Sequence, residues 1–261
     1  MLGALSYLAL PSRRRAAARN LELCFPELDA RARHVLLKAH FRALGVGVFE
    51  FSRAWWGSIA SLRRSVRIDG LEHLATLAAE GRGALLVSGH FMNLEICGRL
   101  LCDHVPLAGM YREHSAAAME WAVKRGRLRY AAAMFQQEEL RPALRHLKQG
   151  GFLWYAPDQD RPGKDSVFAP FFGIPTATLT ATHQLARLSG CAVLPFFHHR
   201  QGDRYVLRIG APLTAFPSAD AAVDSARVNA QIEAMVRAAP AQYLWIHRRF
   251  KRRPPGQPSV Y

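Results

Sequence analysis

The residues best suited to chemistry lie in the stretch from Gly83 to Ile96. His90 follows the apolar run Ala84 to Val87 after only two residues, and Glu95 stands five positions further on. A neutral imidazole can take a proton from a hydroxyl, and a carboxylate that accepts the proton of its other nitrogen fixes the tautomer. The two residue types therefore suit a general base and the group that orients it.

The spacing of His90 and Glu95 limits how the two side chains can meet. On one continuous helix, five positions separate two side chains by about 140°, which is too far for contact. With His90 in a turn and Glu95 in the first turn of a helix, contact is possible, and the helix N-terminus favours the anion. We therefore predict a hydrogen bond between His90 and Glu95. The alternative is a histidine satisfied in a turn beside an unrelated glutamate, which is common at this spacing.

The chain offers this base no nucleophile of its own. No Gly-x-Ser-x-Gly motif is present in the sequence, so the pair is expected to act on a hydroxyl of the substrate. The other histidines do not suggest a metal site. His198 and His199 follow a predicted strand and point to opposite faces, and no His-Glu-x-x-His spacing occurs. We expect no metal.

The elements that must position these residues alternate between strands and helices. Ala84 to Val87 has the length of a strand buried on both faces, and a helical pattern begins near Asn93, a plausible cap. Further strands are predicted at Val66–Ile68, Val105–Tyr111, Phe152–Ala156, Ala192–Phe197 and Tyr205–Ile209, and further helices at Leu71–Ala79, Ala116–Arg127 and Thr178–Leu188. The alternation predicts an α/β fold with a mixed, partly parallel sheet flanked by helices. His90 then lies at a strand's carboxyl end, where such sheets bind ligands.

Two helices are predicted before the first strand. Ser12 to Leu23 is a basic helix that Pro26 interrupts, and Asp29 is a candidate cap for a second, longer helix. Apolar residues follow one side of that helix at steps of three and four: Phe41, Leu44, Val48, Phe51 and Trp55. This face either packs on the core, lies on lipid or guards an acyl tunnel.

Length and charge limit the number of domains and the kind of partner that the chain can have. The chain has 261 residues, and 35 Lys and Arg against 20 Asp and Glu give a net charge of +15, which implies an anionic partner. In the absence of repeats or linkers, residues 1–261 are expected to form one domain, with N-terminal helices over 1–60 and an α/β catalytic core over 61–261. The four cysteines form no Cys-x-x-Cys pair and are expected to be free thiols. No apolar run approaches the ~20 residues of a membrane span.

Several segments resemble one enzyme family. Gly89 to Glu95 resembles the His-x-x-x-x-Asp/Glu motif of glycerolipid-type acyltransferases. Six others resemble the lipid A biosynthesis (lauroyl/myristoyl) acyltransferases: Arg19–Glu27, Gly109–Arg112, Arg125–Arg127, Trp154–Asp160, Ser166–Phe172 and Tyr243–Phe250. The segments occur in order over nearly the whole chain, which makes the resemblance specific. It implies a glycerolipid acyltransferase-like fold.

The resemblance also implies roles for charged residues outside the first motif. It favours Arg127, with Arg125 as the alternative, for binding substrate or an oxyanion, whereas a solvated face is the usual fate of such a charge run. It favours Asp158 over Asp160 as a carboxylate that places an arginine or the acceptor sugar. The competing interpretation of both aspartates is a turn.

The function that the resemblance implies is late acylation in lipid A biosynthesis. A fatty acyl chain would pass from an acyl carrier protein thioester, the co-substrate, to a hydroxyl of a lipid A precursor, with His90 as the base and Glu95 as its orienter. No other cofactor is expected. The partners would be acyl carrier protein, a phosphorylated glycolipid acceptor and an anionic membrane surface. The location would be the cytoplasmic face of the bacterial inner membrane, peripheral or with an N-terminal anchor missing from this chain, since members usually carry one.

Two alternatives remain at this point. The same chemistry could act on another lipid or on a polyene acceptor. From a different class, a nucleic-acid-binding protein would also be basic, but here the basic residues lie in separate clusters without interleaved aromatics, and no known spacing appears. We therefore expect no nucleic-acid partner.

Overall fold

A computed structural model of the chain describes residues 1–137, 140–160 and 165–261. Within these residues the helices are α1 (Leu2–Ala9), α2 (Pro11–Cys24), α3 (Ala30–Trp56), α4 (Ile59–Arg63), α5 (Leu71–Ala79), α6 (Leu94–Cys102), α7 (Ala117–Arg127), α8 (Leu140–Lys148), α9 (Ala181–Ser189) and α10 (Ala221–Ala238). The strands are β1 (Val66–Asp69), β2 (Ala84–Val87), β3 (Leu107–Tyr111), β4 (Met134–Gln136), β5 (Phe152–Tyr155), β6 (Ser166–Phe171), β7 (Ile174–Leu179), β8 (Ala192–Gln201) and β9 (Arg204–Ile209). A 3₁₀ turn, Pro240–Gln242, follows α10.

Seven strands form one mixed sheet in the order β1-β9-β8-β2-β5-β3-β4. The central strand β2 pairs in parallel with β8 on one side and β5 on the other. The sheet changes direction at β9, which runs antiparallel to β8. Helices flank the sheet, so the predicted mixed, partly parallel α/β fold is confirmed.

Alternation along β2 divides the core into two layers. Leu85 and Val87 join an apolar cluster with residues of α8, α9 and α10. Ala84 and Leu86 join a second cluster with residues of α5, α6 and α7. All four residues of β2 are buried, as expected for a parallel strand covered on both faces.

Part of the expected helix over Thr178–Leu188 is wrong. Thr178 and Leu179 end strand β7, which pairs antiparallel with β6 in a separate two-stranded sheet, and α9 begins only at Ala181. A β-branched threonine suits this pleated surface, and the cross-strand partner on β6 decides the conformation. Local helical periodicity does not reveal that partner.

The two helices predicted before the first strand form as α2 and α3, whereas α1 and the short α4 were not predicted. The side chain of Asp29 accepts a hydrogen bond of 2.6 Å from the backbone of Ala32 and caps α3. The predicted apolar face of α3 mostly packs on the core: Phe41 and Trp55 are buried, Leu44 and Phe51 are half-buried, and Val48 is exposed. Across the described part of the chain, we find no helix with the length and hydropathy needed to cross a bilayer.

Candidate active site

Two neighbouring parallel strands bring the candidate catalytic residues to one edge of the sheet. Val87 and Tyr155 lie opposite each other at the carboxyl ends of β2 and β5. The backbone N–H of Ser88 donates to the carbonyl of Tyr155 at 3.2 Å and extends the pairing by one step. His90 and Asp158 each stand three residues beyond their strand. Their side chains therefore meet, although 68 positions separate them in the chain.

Asp158 holds His90 by two contacts. One carboxylate oxygen lies 2.6 Å from the imidazole Nδ1, and the other accepts the backbone N–H of His90 at 2.9 Å. Asp158 is buried, whereas 26% of the His90 side chain is exposed. Burial acts to raise the pKa of Asp158, but the charge of His90, its two hydrogen bonds and the nearby hydroxyl of Tyr243 outweigh burial and lower that pKa. An ionised Asp158 keeps the proton on Nδ1 and leaves Nε2 as the basic nitrogen.

Tyr243 supports this pair from behind, and no sequence pattern gave it a role. Its hydroxyl lies near the carboxylate of Asp158 and helps to lower the pKa of that group. Burial, with the adjacent carboxylate, raises the pKa of Tyr243, so the hydroxyl stays protonated. Tyr243 also forms a β-bridge with Phe91, and the N–H of Leu244 donates to the carbonyl of His90 at 2.9 Å. The C-terminal segment therefore fixes both the carboxylate and the loop that carries the histidine.

The predicted hydrogen bond between Glu95 and His90 is wrong. Glu95 does lie in the first turn of α6, but its carboxylate accepts from Trp55 Nε1 at 3.1 Å, Arg127 Nε at 3.0 Å and the Tyr130 hydroxyl at 3.2 Å. Arg127 Nη2 is in closer contact with the same carboxylate. The start of α6 turns Glu95 towards α3 and α7, where a guanidinium satisfies both carboxylate oxygens. Asp158 takes the place that was expected for Glu95.

The two candidate arginines lie in different environments. Arg127 is largely buried; burial acts to lower its pKa, but the adjacent Glu95 more than compensates and raises it, so the group stays cationic. Within the described residues, its Nη1 has no hydrogen-bond partner. Arg125 is exposed and lies 5.3 Å from the ring centre of Trp121. The geometry therefore favours Arg127 over Arg125 as a substrate-binding group.

Asp158 and Asp160 also separate clearly. Asp160 accepts hydrogen bonds from the side chain and backbone of Arg252 at 2.5 and 3.0 Å, and its own N–H donates to His247 at 3.0 Å. These contacts fix the turn, so Asp160 has the role of a turn residue and not of a substrate-binding group. Asp158, in contrast, contacts the imidazole directly.

A cavity of about 1020 Å³ opens beside this site. His90, Glu95 and Arg127 all line it. Much of the remaining wall is apolar and includes Phe51, Leu94, Leu107, Met110, Met134 and Trp154. Within the described residues, no group of three His, Cys, Asp or Glu side chains could hold a metal ion. The cavity can thus accept an apolar chain and present one end of it to a base and a cation.

The chain is similar in sequence to several known proteins. Residues 2–252 match the family model described as bacterial lipid A biosynthesis acyltransferase. The chain is 40% identical to the lipid A biosynthesis palmitoleoyltransferase of Escherichia coli (strain K12) and 37% identical to the lauroyltransferase of that strain, each over 100% of this chain and 86% of the relative. The myristoyltransferase of the same strain is 25% identical over 96% of this chain and 79% of its own length.

The likeness to a solved structure is much weaker. The 1-acyl-sn-glycerophosphate acyltransferase PlsC from Thermotoga maritima matches with a TM-score of 0.42 and 17% identity, over 79% of this chain and 83% of that chain. The assignment of the chain to its family does not depend on this structural likeness. The chain belongs to the bacterial lipid A biosynthesis acyltransferase family and is an acyltransferase.

Proposed function

We propose that the protein transfers a fatty acyl chain from an acyl carrier protein thioester to a hydroxyl of a lipid A precursor, with His90 as the general base. The observation that carries this proposal is the contact of 2.6 Å between His90 Nδ1 and Asp158 beside a largely apolar cavity. It leaves Nε2 free to take a proton from a substrate hydroxyl. The relatives' names support the lipid A acceptor.

The reaction needs one proton to move through His90. Nε2 takes the proton of the acceptor hydroxyl as the oxygen attacks the thioester carbonyl, which forms the carbon–oxygen bond. The tetrahedral intermediate then collapses, the carbon–sulfur bond breaks, and the carrier thiol leaves with the proton from the imidazolium. Asp158 stabilises the imidazolium between these steps and holds the ring in place.

Arg127 is the proposed cation of the site. Glu95, Trp55 and Tyr130 form a buried cluster around its guanidinium, so Glu95 positions Arg127 and does not orient the base. The free Nη1 would stabilise the oxyanion of the tetrahedral intermediate, together with backbone amides near His90. In a water-poor cavity, such a fixed donor is worth more than the same group in solution.

Acyl carrier protein, a phosphorylated glycolipid and an anionic membrane are the proposed partners. A net charge of +15 suits all three, because each presents negative charge. The proposed location is the cytoplasmic face of the inner membrane. No further cofactor takes part in the proposed reaction.

The test compares His90→Ala and Asp158→Asn with the unchanged protein, given acyl carrier protein thioesters and a purified lipid A precursor. Mass spectrometry should show a product one acyl chain heavier. We expect kcat to fall by about 10²–10⁴ for His90→Ala, the usual cost of losing a general base, with an unchanged circular dichroism spectrum. His104→Ala, an exposed histidine outside the cavity, is the control. Full activity of His90→Ala would rule out the mechanism, and transfer only to a different lipid would rule out the acceptor.

A further inference from the structure

The outer face of α3 carries a continuous line of exposed side chains. They recur at steps of three and four residues, the spacing of one helical face. The members, hereafter the α3 stripe, are Val35, Lys38, Arg42, Val46, Phe49, Arg53 and Trp56. From first to last they span 21 residue steps, or about 32 Å of helix.

The composition of the α3 stripe is unusual for a surface in water. Phe49 and Trp56 are 63% and 67% exposed, and three basic side chains are interspersed among the four apolar ones. Glu50, the one acidic residue of α3, lies buried in an ion pair with Arg200 and adds no negative charge to this face. Exposed aromatic and aliphatic side chains mixed with Lys and Arg are typical of a helix that lies in a membrane interface.

Helix α1 packs on α3 and carries further exposed apolar side chains. Gly3 and Gly45 meet where the two helices cross, and a Cβ on Gly3 would overlap the carbonyl oxygen of Phe41. This close approach docks α1 firmly on α3. Leu5 and Leu8 nevertheless remain 61% and 70% exposed. A docked helix that leaves two leucines exposed indicates a surface meant to be covered.

The α3 stripe is also close to the candidate active site. Phe51 on the inner side of α3 lines the cavity, and Trp55 donates to Glu95. Phe49, Arg53 and Trp56 belong to the same two turns of helix. The cavity wall and the stripe are thus separated by about one helix diameter, ~10–12 Å.

We infer that the α3 stripe, with Leu5 and Leu8, is the surface through which this protein lies on an anionic lipid bilayer, with α3 parallel to the membrane plane. The apolar side chains enter the boundary between headgroups and acyl chains, and Lys38, Arg42 and Arg53 contact anionic headgroups. This orientation holds the cavity about one helix diameter, ~10–12 Å, from the lipid surface. A glycolipid acceptor, which rests on the proposed function, would then have only a short distance to travel from the bilayer surface to His90.

The test measures binding of the purified protein to sedimented vesicles of phosphatidylglycerol and phosphatidylethanolamine. The double variant Phe49→Ser/Trp56→Ser should lower the ratio of bound to free protein at least tenfold. The matched control is Leu188→Ser/Val223→Ser, two apolar residues 51% and 49% exposed on α9 and α10, which should bind like the unchanged protein. Changing Lys38, Arg42 and Arg53 to Gln should abolish the preference for anionic over phosphatidylcholine vesicles.

Several results would overturn this inference. They are equal losses in the two serine variants, no vesicle binding by the unchanged protein, or a stripe variant that loses acyl carrier protein binding while it keeps vesicle binding. Activity separates this inference from the proposed function. Phe49→Ser/Trp56→Ser should keep its kcat on detergent-dispersed acceptor and lose activity only on acceptor embedded in vesicles. A protein that binds vesicles through the stripe but transfers no acyl chain would contradict the proposed function alone.

Discussion

Tyr243 is the residue whose contribution to the proposed chemistry can be isolated most cleanly. It reaches the imidazole only through Asp158, so it is a positioning residue for the base. Its ring packs 5.7 Å from Phe91 and 4.8 Å from Trp245, centre to centre. Phenylalanine can keep that packing and lose only the hydroxyl. The change therefore tests the interaction of the hydroxyl with Asp158 and not the shape of the core.

For Tyr243→Phe we expect kcat to fall about tenfold with little change in KM, the size of effect that losing a polar interaction with a charged group can produce. The carboxylate of Asp158 then shares its charge with one donor fewer and attracts the imidazolium more strongly. The acid limb of the profile of kcat against pH should therefore move to higher pH. Tyr205→Phe, which removes a buried hydroxyl 3.0 Å from Glu50, is the control and should leave that limb in place. Superimposable profiles for Tyr243→Phe and the unchanged protein would exclude this role.

At this scale the sequence identifies the chemical groups better than their partners. His90, Arg127 and Asp158 were all singled out, and all three lie at or beside the cavity. The partner of His90 was expected five positions away and is found 68 positions away. That choice depends on β2 lying next to β5, and strand order is not encoded in the local pattern. The signal available in the sequence was that each of the two ionisable residues stands three positions beyond a buried strand.

At the scale of elements, buried strands are the most predictable part of this fold. Each of the four residues of β2 and of β5 is buried, so both strands are continuous apolar runs in the sequence. The hairpin of β6 and β7 was missed because its stability comes from cross-strand pairs. Asn93 was expected to cap α6, but its side chain bonds to His198 and Gln242. Tertiary contacts override local preference in both cases.

The contact between His198 and Asn93 joins strand β8 to the loop before α6 and makes a testable prediction about acid stability. Nδ1 of His198 lies 3.0 Å from the side-chain oxygen of Asn93. Burial, with help from the charges of His199 and His90, lowers the pKa of His198 to about 3. The folded protein therefore holds His198 neutral, whereas the unfolded chain protonates it below about pH 6.5. Above that pH His198 does not lower the free energy of unfolding. As the pH falls from there towards 3, protonation of His198 in the unfolded chain lowers the free energy of unfolding progressively.

The expected outcome is a free energy of unfolding that is lower at pH 5 than at pH 7.5. His198 alone should account for about 2 kcal/mol of the difference, from about 1.4 kcal/mol per pH unit between the two protonation states. Urea unfolding at both pH values, on the unchanged protein and on His198→Gln, measures it. The variant should show the smaller loss on acidification. An identical loss in both proteins would mean that His198 does not titrate on unfolding.

At the scale of the whole molecule, net charge and fold class were accessible from the sequence, but the cavity was not. The cavity wall draws on α3, α6, β3, α7, β4 and β5, which are distant in the chain. Similarly, the expected apolar face of α3 turned out to pack largely inward, while a second, mixed face points outward. Which face of an amphipathic helix is covered depends on what packs against it. One helix therefore contributes to both the cavity wall and the outer surface.

The net charge of the protein leads to a prediction about the acyl donor. The prediction distinguishes attraction by the overall positive charge from binding by contacts inside the cavity. With a charge of +15, association with an acidic carrier protein should be electrostatically steered and weakened by salt. We expect KM for acyl carrier protein thioesters to rise at least fivefold between ~50 and ~300 mM salt, with kcat nearly constant, because the Debye length shrinks well below the dimensions of the protein. An uncharged acyl-pantetheine thioester occupies the same cavity without the acidic protein and is the control. Its KM should barely change, so an equal salt response of both donors would show that the charge does not serve donor recognition.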